Sequence, residues 1–165
     1  MAEAKGVTRL GGMAFALAVV VILVDQIVKA AFLSLGFPEG MGQPLFGPLH
    51  LTMVWNRGVS FGLFRADHDV MRWLLTGFSL VVAAFLAWWA RNATRPLMAL
   101  GLGLVMGGAI GNAIDRARFG AVVDFVDVTR LMFPWVFNVA DSAITIGVIC
   151  LLLDSVRKTP ETSAT

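Results

Sequence analysis

The feature that most constrains this chain is a set of four long apolar stretches. They cover residues 12–33, 70–90, 96–114 and 135–153. A helix needs about 20 mostly apolar residues to cross a lipid bilayer, so each stretch is predicted to be a transmembrane helix. A helix is favoured because a segment in lipid has no water to satisfy its backbone polar groups.

The composition of the 165 residues agrees with a membrane protein, since 58% are hydrophobic and 15% are charged. Soluble domains usually carry about a quarter charged residues. The net charge is +2 and no basic patch stands out, so no nucleic-acid partner is expected. The single cysteine, Cys150, excludes an intrachain disulfide. The length predicts a single domain over residues 1–165.

The first apolar stretch has an alternative interpretation as a cleaved signal peptide, because Lys5 and Arg9 precede it. Asp25 and Lys29 lie inside the apolar run, and no small-x-small cleavage site follows it. These features favour a retained helix over a signal peptide.

The orientation in the membrane is predicted from short basic segments. Arg91 and Arg95 lie in the short loop between the second and third stretches, and both ends of the chain are basic. Positive charges in short loops and flanks favour the cytoplasmic side, although the total Lys and Arg counts on the two sides are equal. We therefore predict that both termini are cytoplasmic and that residues 34–69 and 115–134 are extracytoplasmic.

Two segments of these connections have the composition of β-strands. They are residues 49–55 (LHLTMVW) and residues 121–128 (AVVDFVDV). Polar residues interrupt an apolar, β-branched background in both. Because lone strands are unstable in lipid, we expect a small sheet at the membrane surface. The predicted fold class is an α-helical integral membrane protein with four transmembrane helices and a small extracytoplasmic β-sheet.

In this arrangement, polar residues collect at one membrane face. An ionisable residue within a span is costly and by default marks a functional site. Asp25 and Lys29 are one helical turn apart and are predicted to pair. The other members of the group are Asn112, Asp115, Arg116, Asp124, Asn138 and Asp141.

Structural roles remain open for several of these residues. The Asp25–Lys29 pair and the group from Asn112 to Arg116 also suit helix ends that are anchored at the interface. Asp127 is interpreted as solvated or paired with an arginine. Asp141 lies inside a predicted span, where an unpaired carboxylate should be neutralised or matched. Glycines at positions 103, 107 and 111 predict a close approach between helices.

Several chemistries are excluded by missing motifs. His50 and His68 belong to no HExxH array, and the chain has no GxSxG, no Walker A loop and no dinucleotide fingerprint. Two carboxylates that share a proton can activate water and protonate a leaving amine. The same acids would also suit a proton or ion relay, and the glycine face a purely structural subunit. Against a relay, the polar groups gather at one face and provide no path across the membrane.

Five separated motifs resemble the bacterial lipoprotein signal peptidases, also called signal peptidase II. In chain order they are VDQIVK around Asp25, NRGVSFG from Asn56, GGAIGNAIDR from Gly107, VVDFVD from Val122 and FNVADSAI from Phe137. The resemblance implies an intramembrane aspartyl peptidase. Such an enzyme removes the signal peptide from diacylglyceryl-modified prolipoproteins, on the N-terminal side of the lipidated Cys. The implied fold has four transmembrane helices, an extracytoplasmic β-cradle and a short surface helix.

The resemblance also implies the roles of individual residues. Asp124 and Asp141 are the implied catalytic dyad, which activates water. The implied supporting or substrate-binding residues are Asp25, Lys29, Asn56, Gly58, Asn112, Asp115, Arg116 and Asn138. No metal and no cofactor are expected. The expected partners are the lipidated precursor and membrane lipid. A monomer is expected in the bacterial cytoplasmic (inner) membrane, with its active site near the outer face.

Overall fold

The computed structural model of the protein describes residues 6–59, 64–65 and 69–157. Lys5, His68 and residues 60–62 of the NRGVSFG motif, which entered the sequence analysis, lie outside the described residues.

Within the described part of the chain, four helices are long and apolar enough to cross a membrane. They are α1 (Arg9–Ser34), α2 (Asp69–Ala90), α3 (Pro96–Phe119) and α4 (Val139–Val156), which confirms the predicted helical fold class. Helix α3 lies at the centre and packs against the other three. Its apolar span is 72% buried, whereas that of α2 is 17% buried and faces outward.

Glycines on α3 allow this close packing. A Cβ atom added at Gly107 would lie 2.6 Å from the Cβ of Val21 on α1. A Cβ atom added at Gly108 would meet the backbone carbonyl of Ala140 on α4. The predicted glycine face at 103, 107 and 111 therefore meets α1, and Gly108 beside it lets α4 approach α3.

Helix α3 is longer than predicted, since it continues to Phe119 instead of ending at 114. Asp115 and Arg116 are therefore helical residues and not part of the following connection. The helix ends at Gly120, which adopts a left-handed conformation with φ of 78° and donates its N–H to the Arg116 carbonyl. The Arg72 guanidinium on α2 also caps this end, donating to the carbonyl oxygens of Arg116 at 2.8 Å and Ala117 at 2.6 Å.

Helix α4 begins at Val139, later than the predicted 135. Two features delay it: a short strand before the helix, and a capping box at its first turn. The Asn138 side-chain oxygen accepts the N–H of Asp141 at 2.9 Å, and the Asp141 carboxylate accepts the N–H of Asn138 at 3.3 Å. This reciprocal cap satisfies backbone donors that a helix N-terminus leaves free.

The described strands form a four-stranded antiparallel sheet and a two-stranded one. In the larger sheet the order is β1 (Gly42–Phe46), β2 (Leu49–Asn56), β5 (Val122–Asp127) and β6 (Val136–Phe137). In the smaller sheet β3 (Gly58–Val59) pairs with β4 (Phe64–Arg65). Strands β2 and β5 confirm the two predicted strands. The described residues outside the long helices also contain one 3-10 turn at Thr129–Leu131.

The larger sheet is fixed to the end of α1 by an apolar cluster. Phe32 of α1 packs with Met53 of β2 and with Val123 and Phe125 of β5. The rings of Phe32 and Phe125 stack at a centroid distance of 5.0 Å. Since Asp124 lies between Val123 and Phe125, this packing holds its backbone against the helices.

Polar contacts join the helices at their other end. Arg95 pairs with the buried carboxylate of Asp154 at 2.7 Å, which ties the start of α3 to the end of α4. Thr8 donates its hydroxyl to the Ala93 carbonyl at 2.8 Å, which ties the start of α1 to the α2–α3 connection.

Candidate active site

A buried lysine joins two carboxylates on neighbouring helices. The Lys29 ammonium lies 2.8 Å from Oδ2 of Asp25 on its own helix and 2.8 Å from Oδ2 of Asp115 on α3. It also donates to Oδ1 of Asn112 at 3.1 Å. An ammonium has three hydrogens and no acceptor, so these contacts use its full capacity. The predicted Asp25–Lys29 pair is present and is extended by Asp115.

The remaining oxygens of this buried cluster fix two other elements. Oδ1 of Asp25 accepts the N–H of Ala140 at 2.9 Å, which holds the first turn of α4. Oδ2 of Asp115 accepts the N–H of Val123 at 3.1 Å, which holds β5. The ion cluster therefore positions the two elements that carry the predicted dyad.

Gln26 belongs to this cluster, although the sequence analysis did not select it as a site residue. Its Nε2 donates to Oδ1 of Asp115 at 2.9 Å and to Oδ2 of Asp25 at 3.2 Å. The signal that identifies it is an uncharged polar side chain next to Asp25 within an apolar run. Arg72 was missed as well, and its capping contacts lie at the C-terminal end of α3.

Two asparagines connect the ion cluster to the carboxylates of Asp124 and Asp141. Oδ1 of Asn112 faces Lys29, so its Nδ2 points the other way and donates to Oδ1 of Asp141 at 2.8 Å. Nδ2 of Asn138 donates to Oδ1 of Asp124 at 2.7 Å and contacts Oδ1 of Asn112 at 3.2 Å. Because an ammonium only donates, the orientation of both amides is determined by their neighbours.

Asp124 is 1% exposed and lies on β5 opposite Val54. Its second oxygen, Oδ2, accepts a hydrogen bond from Asn56 at 3.0 Å. Burial and, to a smaller extent, the charge of Asp141 raise the pKa of Asp124 to about 7. Hydrogen bonds from Asn56 and Asn138 and the charge of Lys29 oppose the rise. The strong rise in pKa is typical of a carboxylate that shares a site with another.

Asp141 is only partly buried and lies in the first turn of α4, where Asn138 caps the helix. Its two oxygens accept from the Asn112 side chain and from the Asn138 backbone. Asn138 thus contacts both aspartates. Its side-chain nitrogen donates to Asp124, its backbone N–H donates to Asp141, and its side-chain oxygen accepts the N–H of Asp141.

An open groove of about 810 Å³ passes in front of Asp141. Apolar residues of α2 and α4 form its walls, and Trp135 and Val136 lie at the end where the sheet meets the helices. The polar residues that line it are Asn56, Ser79, Asn112, Arg116, Asp141, Ser142 and Thr145. Asp124 lies behind this lining, in contact with Asn56 and Asn138.

The structure brings together every residue that was predicted for the site. The hydrogen-bonded and ion-paired members are Asp25, Lys29, Asn56, Asn112, Asp115, Asp124, Asn138 and Asp141. Gly58 donates its N–H to Oδ1 of Asn56 at 3.2 Å. Arg116 lines the groove, and its charge acts on Asp141, Asp124 and Asp115.

Asp127 lies outside this network. Its carboxylate accepts the hydroxyl of Thr52 at 2.7 Å and the N–H of Thr129 at 2.9 Å, so threonines and not an arginine bind it. Among the residues that the structure describes, no group of three or more His, Cys, Asp or Glu is arranged to hold a metal ion.

Known proteins match this chain over most of its length. The sequence profile of signal peptidase (SPase) II matches residues 17–157. A lipoprotein signal peptidase of Caulobacter vibrioides is 58% identical over 151 residues, covering 90% of this chain and 89% of the relative. A lipoprotein signal peptidase of Methylobacterium radiotolerans is 47% identical over 144 residues, covering 83% and 81%.

The fold also matches experimental structures. A bacterial membrane enzyme solved at 2.3 Å superposes with a TM-score of 0.77 at 26% identity, covering 98% of this chain and 100% of that one. Another bacterial membrane enzyme, solved at 1.9 Å, gives a TM-score of 0.78 at 25% identity, with coverage of 95% and 100%. With the profile match and the relatives, these findings show that the chain belongs to the signal peptidase II family, the lipoprotein signal peptidases.

Proposed function

We propose that this lipoprotein signal peptidase is an aspartic endopeptidase in which Asp124 and Asp141 form the catalytic dyad. It hydrolyses the signal peptide from a diacylglyceryl-modified prolipoprotein, on the N-terminal side of the lipidated Cys. The enzyme works as a monomer, as a single membrane domain over residues 1–165. Both of its termini are cytoplasmic, and the groove opens near the outer face of the inner membrane.

The observation that carries this proposal is the shared hydrogen-bonding of the two carboxylates. Asn138 contacts both, and each of their four oxygens accepts at least one N–H. Like charges at close range cannot both ionise cheaply, so such a pair retains one proton near neutral pH. The raised pKa of Asp124, caused by burial and then by the charge of Asp141, agrees with this state.

One ionised and one protonated aspartate suffice for peptide hydrolysis. The ionised carboxylate removes a proton from water, which attacks the scissile carbonyl carbon. The protonated carboxyl donates its proton to the leaving nitrogen, so the C–N bond breaks and the pair recovers one proton. Arg116 lines the same groove and supplies positive charge near the developing oxyanion.

The groove suits a substrate that is both peptide and lipid. Its walls include Leu75, Phe78 and Val82 of α2 and Ile144 of α4, which accommodate apolar chains. Acyl chains held along this apolar surface contribute binding energy far from the reacting bond. That energy positions the scissile peptide and raises the rate.

The proposal is tested with the purified protein in detergent and two forms of one precursor. One form carries diacylglycerol on the cysteine of its cleavage site, and the other is the unmodified chain. We expect efficient cleavage of the lipidated form alone. The mass of the product should place its new N-terminus at the lipidated cysteine. Comparable cleavage of the unmodified precursor, or cleavage at another bond, would contradict the proposal.

A further inference from the structure

The two edge strands of the larger sheet differ in whether a further strand can pair with them. Within the described strands, β1 forms one edge and β6 the other. Alternate residues of an antiparallel strand turn their backbone groups toward the partner or away from it. Met41 turns its backbone groups toward β2, since its carbonyl accepts the N–H of Met53 at 3.0 Å. Pro44 lies three residues further along, opposite His50, and so has the opposite orientation. Pro44 therefore holds an outward position, where its missing N–H blocks pairing at that edge.

The β6 edge carries no such block. Val128 donates its N–H to the Trp135 carbonyl at 3.1 Å, and Val126 lies opposite Phe137. Trp135 and Phe137 therefore direct their backbone groups toward β5. Val136, which lies between them opposite Asp127, directs its N–H and C=O away from the sheet. Val136 also lines the groove that contains Asp141.

From this geometry we infer that the precursor segment around the scissile bond binds in an extended conformation along Val136, as an added strand at the β6 edge. The inference rests on the proposed function, because it uses the groove in front of Asp141 as the substrate site. Val136 offers the peptide one backbone donor and one backbone acceptor. A paired strand would lie about 4.8 Å from β6.

This pairing gives the chemistry what it needs. A peptide bond inside an α-helix has its carbonyl hydrogen-bonded along the helix, whereas an extended segment exposes it to water and to Asp141. Asn138 and Asp141 follow Val136 closely in sequence, so the added strand runs past the first turn of α4. Main-chain hydrogen bonds provide the affinity in strand addition, so recognition at this edge tolerates variation in the side chains of the precursor.

The first test compares Val136→Pro with Val136→Ala. Proline removes the outward N–H and leaves the ladder to β5 intact, as proline does at outward edge positions. Alanine removes the two γ-methyl groups of valine but keeps the N–H, so it is the reference for loss of the valine side chain. We expect kcat/KM on a lipidated precursor to be about ten-fold lower for Val136→Pro than for Val136→Ala, with similar melting temperatures. Equal kcat/KM in two folded variants would overturn the inference.

A second test uses the wild-type enzyme and does not depend on the folding of a variant. A diacylglyceryl-modified peptide spanning the cleavage site is prepared with one backbone amide at a time replaced by an ester. We expect one ester near the scissile bond to lower kcat/KM by a similar factor, because the ester removes the peptide N–H that donates to the Val136 carbonyl. A scan in which no ester lowers kcat/KM would overturn the inference. Cleavage of the all-amide peptide tests the proposed function itself, so the two failures are distinguishable.

Discussion

At the scale of single residues, Lys29 determines how the site is hydrogen-bonded without contacting either aspartate of the proposed dyad. Its ammonium donates a hydrogen bond to Oδ1 of Asn112. Nδ2 of Asn112 therefore faces the other way and donates to Asp141. Oδ1 of Asn112 also accepts a hydrogen bond from Nδ2 of Asn138, and the same nitrogen donates to Asp124. Lys29 is therefore a positioning residue, since all three of its hydrogens are used within the protein.

We predict that Lys29→Met lowers kcat by at least about ten-fold and moves the pH profile to higher pH. The pKa of Asp124 is raised to about 7, mainly by burial, and Lys29 is one of the groups that oppose this rise. Without the cation, Asp124 keeps its proton to higher pH, so both limbs of a bell-shaped profile move upward. The limbs report the pair and not one residue. The measurements are kcat and kcat/KM of the folded variant from about pH 5 to 9.

The matched control is Asp154→Asn, which disrupts the Arg95–Asp154 pair at the other end of the helices. Both substitutions remove one partner of a pair that includes a buried charge, and both should lower thermal stability. Only Lys29→Met should move the pH profile. An unchanged profile for Lys29→Met, or an equal shift for Asp154→Asn, would show that Lys29 acts through stability alone.

At the scale of elements, the approach of α4 to α3 places Asp141. Gly108 of α3 lies against Ala140, the residue before Asp141, and a methyl group there would meet the Ala140 carbonyl oxygen and the Ile144 Cγ1 at 2.7 Å. We predict that Gly108→Ala pushes α4 outward, destabilises the protein by about 1–3 kcal/mol and strongly reduces cleavage. Reversible unfolding and precursor cleavage measure the two effects.

Gly77→Ala on α2 is the control for this substitution. A Cβ atom at Gly77 has no neighbour within 4 Å, so the variant should keep wild-type stability and turnover. If Gly108→Ala were as active and stable as Gly77→Ala, the close contact between α3 and α4 would not be what positions Asp141.

The same elements show what the sequence could predict. Apolar runs located the helices and composition located β2 and β5, because each signal is local. The start of α4 at Val139 depends on the pairing of β6 with β5 and on the Asn138 cap, and neither lies in the apolar pattern. The end of α3 at Phe119 depends on Gly120 and on Arg72 from another helix.

For the site, residue types and motifs predicted the members, including the Asp25–Lys29 pair. Sequence spacing did not predict that Lys29 also binds Asp115, or that Asn138 connects the two aspartates. Those contacts join α1, α3, β5 and α4, so they exist only after the chain has folded. The outward backbone of Val136 was missed for the same reason, whereas Gln26 carried a local signal as a polar residue next to Asp25.

At the scale of the whole molecule, the sheet and the ion cluster lie at one end of the helices, and the Arg95–Asp154 pair lies at the other. We predict that the end with Arg95 is cytoplasmic. A reporter that is active only in the cytoplasm should be active after Thr165 and inactive when inserted at Glu39. The opposite pattern would invert the molecule and place the groove on the cytoplasmic side.

The central claim is that Asp124 and Asp141 act together as the catalytic pair, and the most direct measurement is precursor cleavage by their asparagine variants. Asparagine keeps the size of aspartate but cannot take up or release the shared proton. We predict that Asp124→Asn and Asp141→Asn each lose at least about 10²–10⁴-fold in turnover while remaining folded. Asp127→Asn, on the same strand as Asp124 but bound by threonines, should retain far more activity. Wild-type turnover in either folded dyad variant would contradict the aspartyl mechanism.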